Sequence, residues 1–177
     1  MKKSNTLYLV RAGLIAALYA ALTVTVAFFL PIMYGQVQFR VSEALTVLPL
    51  FLPEAVPGLF VGCVVANAVG VSMGQAGAID IVVGSLASLL AAVLTRATRR
   101  ITFKGLPLLS MFFPVIVNAV IVGAELTYLT HVPFYLNFLW VFLGQAICCY
   151  GLGIPLFLAI KRIGPTKIFG SCDKPTS

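Results

Sequence analysis

The chain has 177 residues, 60% of them hydrophobic and 10% charged, with a mean hydropathy of +1.06. Soluble domains carry about 25% charged residues, so this composition excludes a water-soluble fold. At roughly 20 apolar residues per helical span the length allows about six crossings and leaves no room for a separate soluble catalytic or nucleic-acid-binding domain.

Met1 to Arg11 is polar and basic, and the apolar run after it is too long for a signal-peptide core and lacks a small-residue cleavage site, so a retained first span is expected. Apolar runs then follow at 12–30, 42–52, 56–73, 79–95, 106–129 and 134–160, with a polar tail at 161–177. The second and third runs are the difficult ones. Residues 42–73 are few for two crossings, about 24 Å each at 1.5 Å per residue against a core of roughly 30 Å. The basic residues nevertheless require two. Lys2, Lys3 and Arg11 precede the first run, Arg96, Arg99, Arg100 and Lys104 follow the fourth, and Lys161, Arg162, Lys167 and Lys174 follow the sixth. These eleven lie on one side only if an even number of crossings separates each cluster. Pro53 and Pro57 around Glu54 supply the turn between two short helices. The expectation is therefore an all-α membrane bundle of six helices, one domain, with both termini cytoplasmic and Arg40 the lone basic residue outside. The net charge of +7 is an orientation signal rather than a nucleic-acid footprint.

A short second helix needs its end covered by protein or facing a wet cavity, so a cavity is expected to open outward beneath the connection 31–40, which carries Gln36, Gln38 and Arg40. Small residues recur every fourth position at Gly58, Gly62, Ala66, Gly70 and Gly74, and at Gly84, Ser88 and Ala92, which lets helix backbones approach closely. In the first span Ala12, Ala16 and Ala20, flanked by Ala17 and Ala21, form either an ordinary packing face or a docking face for another membrane subunit. Cys63, Cys148 and Cys149 lie in apolar runs and Cys172 in the tail, a pattern of buried small hydrophobes rather than a disulfide framework or a zinc site.

Intramembrane charge is expensive and marks function by default. Glu43 opens the second run, Asp80 the fourth, and Glu125 closes the fifth, all at the expected outer side, whereas Glu54 sits in the inner turn, where solvent explains it. Asp80 and Glu43 also suit helix N-termini, but Glu125 is at a helix C-terminus, where its charge opposes the dipole and demands a partner. Asn118 shares a face with Glu125, Asn67 lies in the outer half of the third run, and Asn137 and Trp140 open the sixth. Phe39, Tyr128 and Trp140 supply rings at the same level, either for stacking on a ligand or as an interfacial belt. One histidine, His131, with scattered carboxylates makes no metal motif, and no Walker sequence, GxGxxG loop or nucleophile elbow occurs. No metal, cofactor or catalytic residue is assigned. A pocket of this kind suits a flat, donor-rich or cationic molecule. A guanine-like ring offers two parallel N–H groups to one carboxylate and a face for stacking, and a second carboxylate can hold an appended ammonium group. A thiamine-like cation fits as well.

The stretches QFRVSEALTVLPLF (38–51), EAVPGLFVGCVVAN (54–67) and IDIVVGSLASLLAAVLT (79–95) resemble the QueT family of substrate-binding S components of energy-coupling factor (ECF) transporters. The resemblance implies a six-helix S component that takes up queuosine precursors, 7-deazaguanines such as preQ1, preQ0 or queuine. It also implies a transmembrane coupling subunit and two ATPase subunits supplied by other chains, in a bacterial cell membrane. The AxxxA-type motif through which S components meet the coupling subunit is matched here by Ala16 with Ala20 and Ala17 with Ala21. Binding residues are expected to be Arg40, Glu43, Asn67, Asp80, Glu125, Asn137, Trp140, Tyr128 and Phe39. The competing readings are an S component for another vitamin or purine-like nutrient, a purely structural membrane subunit, and an intramembrane enzyme using Glu43, Asp80, Glu125 and His131.

Overall fold

A computed structural model describes residues 2–29 and 39–170 of the chain, with side chains from residue 5 onward. The connection expected to close over the site, 31–40, falls outside the described residues up to Gln38, as does Cys172. The helices are α1 (Lys2–Phe29), a 3-10 helix (Val41–Leu50), α2 (Ala55–Ser72), α3 (Asp80–Ala97), α4 (Leu108–Thr130), α5 (Phe134–Ala146), a π turn (Ile147–Leu152), α6 (Gly153–Ile163) and α7 (Pro165–Phe169). Five stretches are long and apolar enough to cross a bilayer: Asn5–Phe29, Ala55–Ser72, Asp80–Ala97, Leu108–Thr130 and Phe134–Ile163. Val41–Leu50 is a shorter apolar helix. The order of elements matches the six runs of the sequence.

The second element is not the α-helix that a short apolar run suggests. Pro49 has no N–H to donate, and the Thr46 hydroxyl donates 2.6 Å to the carbonyl three residues back, on Glu43, both of which favour the tighter winding. At about 2.0 Å rise per residue, ten residues of 3-10 helix reach about 20 Å, against about 15 Å as α-helix. Such runs are rarely this long, and burial sustains this one, since every residue from Ser42 to Leu50 is buried. Leu45, Val47, Leu48 and Leu50 join Ile15, Tyr19, Leu59 and Phe157 in one core, so α1, α2 and α6 pack around the 3-10 helix. A second core joins α3, α4 and α5 through Ala87, Ala91, Val117, Leu126 and Val141. Outside both, large apolar side chains such as Leu14, Phe28, Val82 and Leu139 are exposed, the surface that lipid covers.

α1 and α2 meet at backbone distance. A Cβ on Gly62 would lie 2.8 Å from the carbonyl oxygen of Ala16, and one on Gly58 2.8 Å from that of Ala12. The small-residue row of α2 is thus a packing face, with Gly58, Gly62, Ala66 and Gly70 all buried. Gly74, at φ +69, then ends that helix in the left-handed region that a residue without Cβ adopts freely.

The charged ends gather together. Arg11 of α1 donates 2.7 Å to Glu54 in the turn before α2, and its second terminal nitrogen bonds the carbonyl of Phe169 in α7. Arg96 at the end of α3 donates to the carbonyl of Pro49, and Lys161 of α6 to that of Gly105 before α4. Glu54 corrects the sequence reading: it is buried and ion-paired to Arg11 rather than solvated. At this basic end the described part of the 161–177 tail continues as helix, α6 to Ile163 and then α7.

Candidate functional site

At the opposite end of the bundle, α1, α2 and α4 finish while the 3-10 helix, α3 and α5 begin, so the chain direction alone brings their polar termini to one level. Arg40, Glu43, Asp80 and Glu125 are 4%, 1%, 7% and 6% exposed there. Asp80 and Arg40 both act electrostatically on Glu125, and Arg40 also acts on Glu43, which places the four in one neighbourhood. Asn67 joins them from α2, its amide nitrogen donating 2.7 Å to the carbonyl of Asp80 across the α2–α3 interface. That contact requires Gly84, because a Cβ at 84 would stand 3.0 Å from the Asn67 amide nitrogen.

The hydrogen-bond donors are unevenly spent. One oxygen of Glu43 accepts a 2.6 Å bond from the Tyr19 hydroxyl of α1, and one oxygen of Asp80 accepts from the backbone N–H of Gly77 at 2.8 Å. The other oxygen of Glu43 and both oxygens of Glu125 are buried and meet no donor among the described residues; neither do the Asn67 amide oxygen and the Ser85 hydroxyl find a partner. The amide nitrogen of Asn118, one face up α4 from Glu125, is equally unspent. An unmet buried polar group costs about 1–3 kcal/mol, and more when charged, so a cluster of them at one site is a stored demand for a ligand or for water.

Below the carboxylates, the buried thiol of Cys63 collects weak contacts from four directions. Arg40, Asn67 and Ser88 donate to its sulfur at 3.9, 3.5 and 3.3 Å, and it points 3.7 Å from the carbonyl of Gly84. Sulfur is a weak acceptor, so these contacts are weak ones. A further chain runs from Thr23 to Ser42 at 2.6 Å, and Cys149 lies near Gln145, Thr46 and the Glu43 carbonyl.

The remaining expected residues divide. Asn137 is buried and donates to the Thr127 hydroxyl at 3.1 Å and to the carbonyl of Val132 at 3.2 Å, which pins α5 to the end of α4 and leaves its amide oxygen unmet. Phe39 is half-buried beside Arg40. Tyr128 and Trp140 correct the stacking expectation, for at 74% and 42% exposed their rings face outward. That is where an interfacial aromatic belt lies. His131 is exposed and in the left-handed conformation that caps α4, apart from the carboxylates. Among the described residues no group of three or more His, Cys, Asp or Glu side chains could hold a metal ion.

The alanine face also divides. Ala16 is buried and Ala12 and Ala20 half-buried, with the backbones of Ala12 and Ala16 against Gly58 and Gly62, so this row is internal packing. Ala17 and Ala21 are exposed, in line with Gly13, around which nothing comes within 4 Å. Sequence reasoning missed Tyr19, Ser88 and Gln145 at the site. The available signal was polarity at mid-span, for each interrupts an apolar run where a hydrogen-bonding group needs a reason.

Helices with a lipid-ready exterior, around a buried polar cluster at one end, define a multi-pass membrane protein. The QueT transporter family matches residues 9–162, and the chain belongs to that family. It is thus a transporter-family protein and not an enzyme. It is also similar to a Lactococcus lactis subsp. cremoris (strain MG1363) protein described as queuosine precursor transporter QueT, 36% identical over 89 residues. That similarity spans 50% of this chain and 49% of the relative, about half of each. No solved structure matches the chain.

Proposed function

We propose that this protein is the substrate-capturing subunit of an ECF-type importer and binds a 7-deazaguanine queuosine precursor such as preQ1, preQ0 or queuine. The observation that carries the reading is the set of buried carboxyl oxygens without donors, on Glu43 and Glu125, in a chain of the QueT transporter family. A guanine-type edge presents a ring N–H and an exocyclic amine side by side, which two oxygens of one carboxylate accept together. Arg40 and Asn118 supply donors for the ring carbonyl, and Phe39 a ring beside them. The basic end, holding Arg11, Arg96 and Lys161, faces the cytoplasm, so the site opens outward and both termini lie inside. The coupling subunit meets α1 along its exposed row Gly13, Ala17 and Ala21, and ATP is hydrolysed on two partner subunits. The whole chain acts as one membrane domain.

Calorimetry on the purified protein tests the substrate reading with preQ1, queuine and guanine side by side. The expected result is binding of the 7-deazaguanines that weakens by more than tenfold in Glu125→Gln, since the bidentate contact is lost. Undiminished affinity in that variant, or no binding of any 7-deazaguanine, refutes the reading.

A further inference from the structure

We infer that the ligand carries a positive charge and that the free oxygen of Glu43 receives it, so that the site selects aminomethyl-type 7-deazaguanines over neutral ones. This rests on the substrate reading above and sharpens it. The first observation is charge balance. Three buried carboxyl groups, Glu43, Asp80 and Glu125, face a single guanidinium, Arg40. Residues 30–38 include no charged residue in the sequence, and the ion pair of Arg11 with Glu54 is at the far end of the bundle and neutral in sum. Fully ionised, the cluster carries two negative charges in excess. A buried charge without a partner is strongly unfavourable, and a bound cation supplies that partner to an ionised carboxylate here.

The second observation is where the donors run out. Glu125 has two empty oxygens, the arrangement a flat pair of N–H groups fills. Glu43 has one, because the Tyr19 hydroxyl holds the other, and a single anionic oxygen backed by a fixed donor suits a compact ammonium. Independently of the acids, the buried amide oxygen of Asn67 is also unmet, adding an acceptor for a donor-rich ligand.

The test compares three 7-deazaguanines that differ only at the 7-substituent, aminomethyl, methyl and cyano, by calorimetry on the purified full chain. The expected result is about tenfold or greater preference for the aminomethyl compound over both neutral ones. In Glu43→Gln that preference falls to about threefold or less, and an unchanged far-UV circular dichroism spectrum with monodisperse elution reports that the variant is folded. In Glu125→Gln all three weaken together and the preference survives. Equal affinity of the wild-type protein for the three compounds overturns the inference while leaving the substrate reading intact. A preference untouched by Glu43→Gln overturns the assignment to Glu43. Absence of binding by all three sinks the substrate reading itself, and this inference with it.

Discussion

The α1–α2 contact gives the sharpest test of how the site is built. In Gly62→Ala the new methyl meets the Ala16 carbonyl oxygen at 2.8 Å, the Cβ of Tyr19 at 2.9 Å and the Cα of Ala16 at 3.1 Å. Ordinary contact begins near 3.4 Å, and all three atoms belong to or adjoin the α1 backbone, so no side chain can rotate out of the way. Overpacking of this kind costs about 1–3 kcal/mol. Against it stands the gain from replacing glycine inside a helix, about 0.8–1.0 kcal/mol. The net loss is about 0–2 kcal/mol, and at 2–4 °C per kcal/mol for a chain of this size the midpoint of thermal unfolding falls by up to about 8 °C. Gly13→Ala is the matched control, since nothing lies within 4 Å of its Cβ position and only the helix gain remains. Thermal unfolding of the purified protein, followed by the fluorescence of Trp140, measures both. If Gly62→Ala unfolds at or above the midpoint of Gly13→Ala, the close approach of α1 and α2 described above is wrong. The consequence for the site is direct, because Tyr19 rides on α1, and a retreat of that helix lengthens its 2.6 Å bond to Glu43.

Tyr19→Phe keeps the buried ring but leaves both oxygens of Glu43 without a donor, and hydrogen bonds to charged groups contribute about 1.5–3 kcal/mol. The unliganded protein should therefore melt several degrees lower than wild type, and preQ1 should raise its midpoint by more than it raises the wild-type one; an unchanged unliganded midpoint rejects the role given to this bond. On the outer face of α1, Ala17→Leu combined with Ala21→Leu should abolish co-purification of the coupling subunit and spare ligand binding. Ala16→Leu should instead destabilise the fold, since Ala16 lies against Gly62, and retained assembly in the double variant rejects the docking row.

What the sequence made legible is what varies along the chain axis. Hydropathy and the parity of the basic clusters depend only on how far each residue is from a span end, and they placed Arg40, Glu43, Asn67, Asp80 and Glu125 at one level, where all five are buried. What it concealed is azimuth. A helix apolar on every side carries no stripe to show which face turns inward. Ala16 and Ala17 are therefore indistinguishable in the sequence, although one packs on Gly62 and the other faces out. The same ambiguity left Trp140 and Tyr128 open between stacking on a ligand and an interfacial belt, and both are exposed. Tyr19 and Gln145 were passed over because each sits alone in an apolar run, and Ser88 was read only as a small packing residue; only the pairing of Tyr19 with Glu43, 24 residues away, gives the first of them a meaning.

Glu54 failed for a third reason: its partner Arg11 is 43 residues distant and was already assigned to topology. That double assignment matters beyond the one residue. A basic side chain read as an orientation signal can also neutralise a buried acid, and here it does so at the basic end, where Arg11 joins the turn before α2 to the carbonyl of Phe169 in α7. Arg11 is spent on Glu54 there, while Glu43, Asp80 and Glu125 lie at the other end of the bundle. Among the described residues Arg40 is the one cation beside those three carboxyl groups, and the imbalance on which the proposed site rests follows from how the chain has distributed its twelve cations.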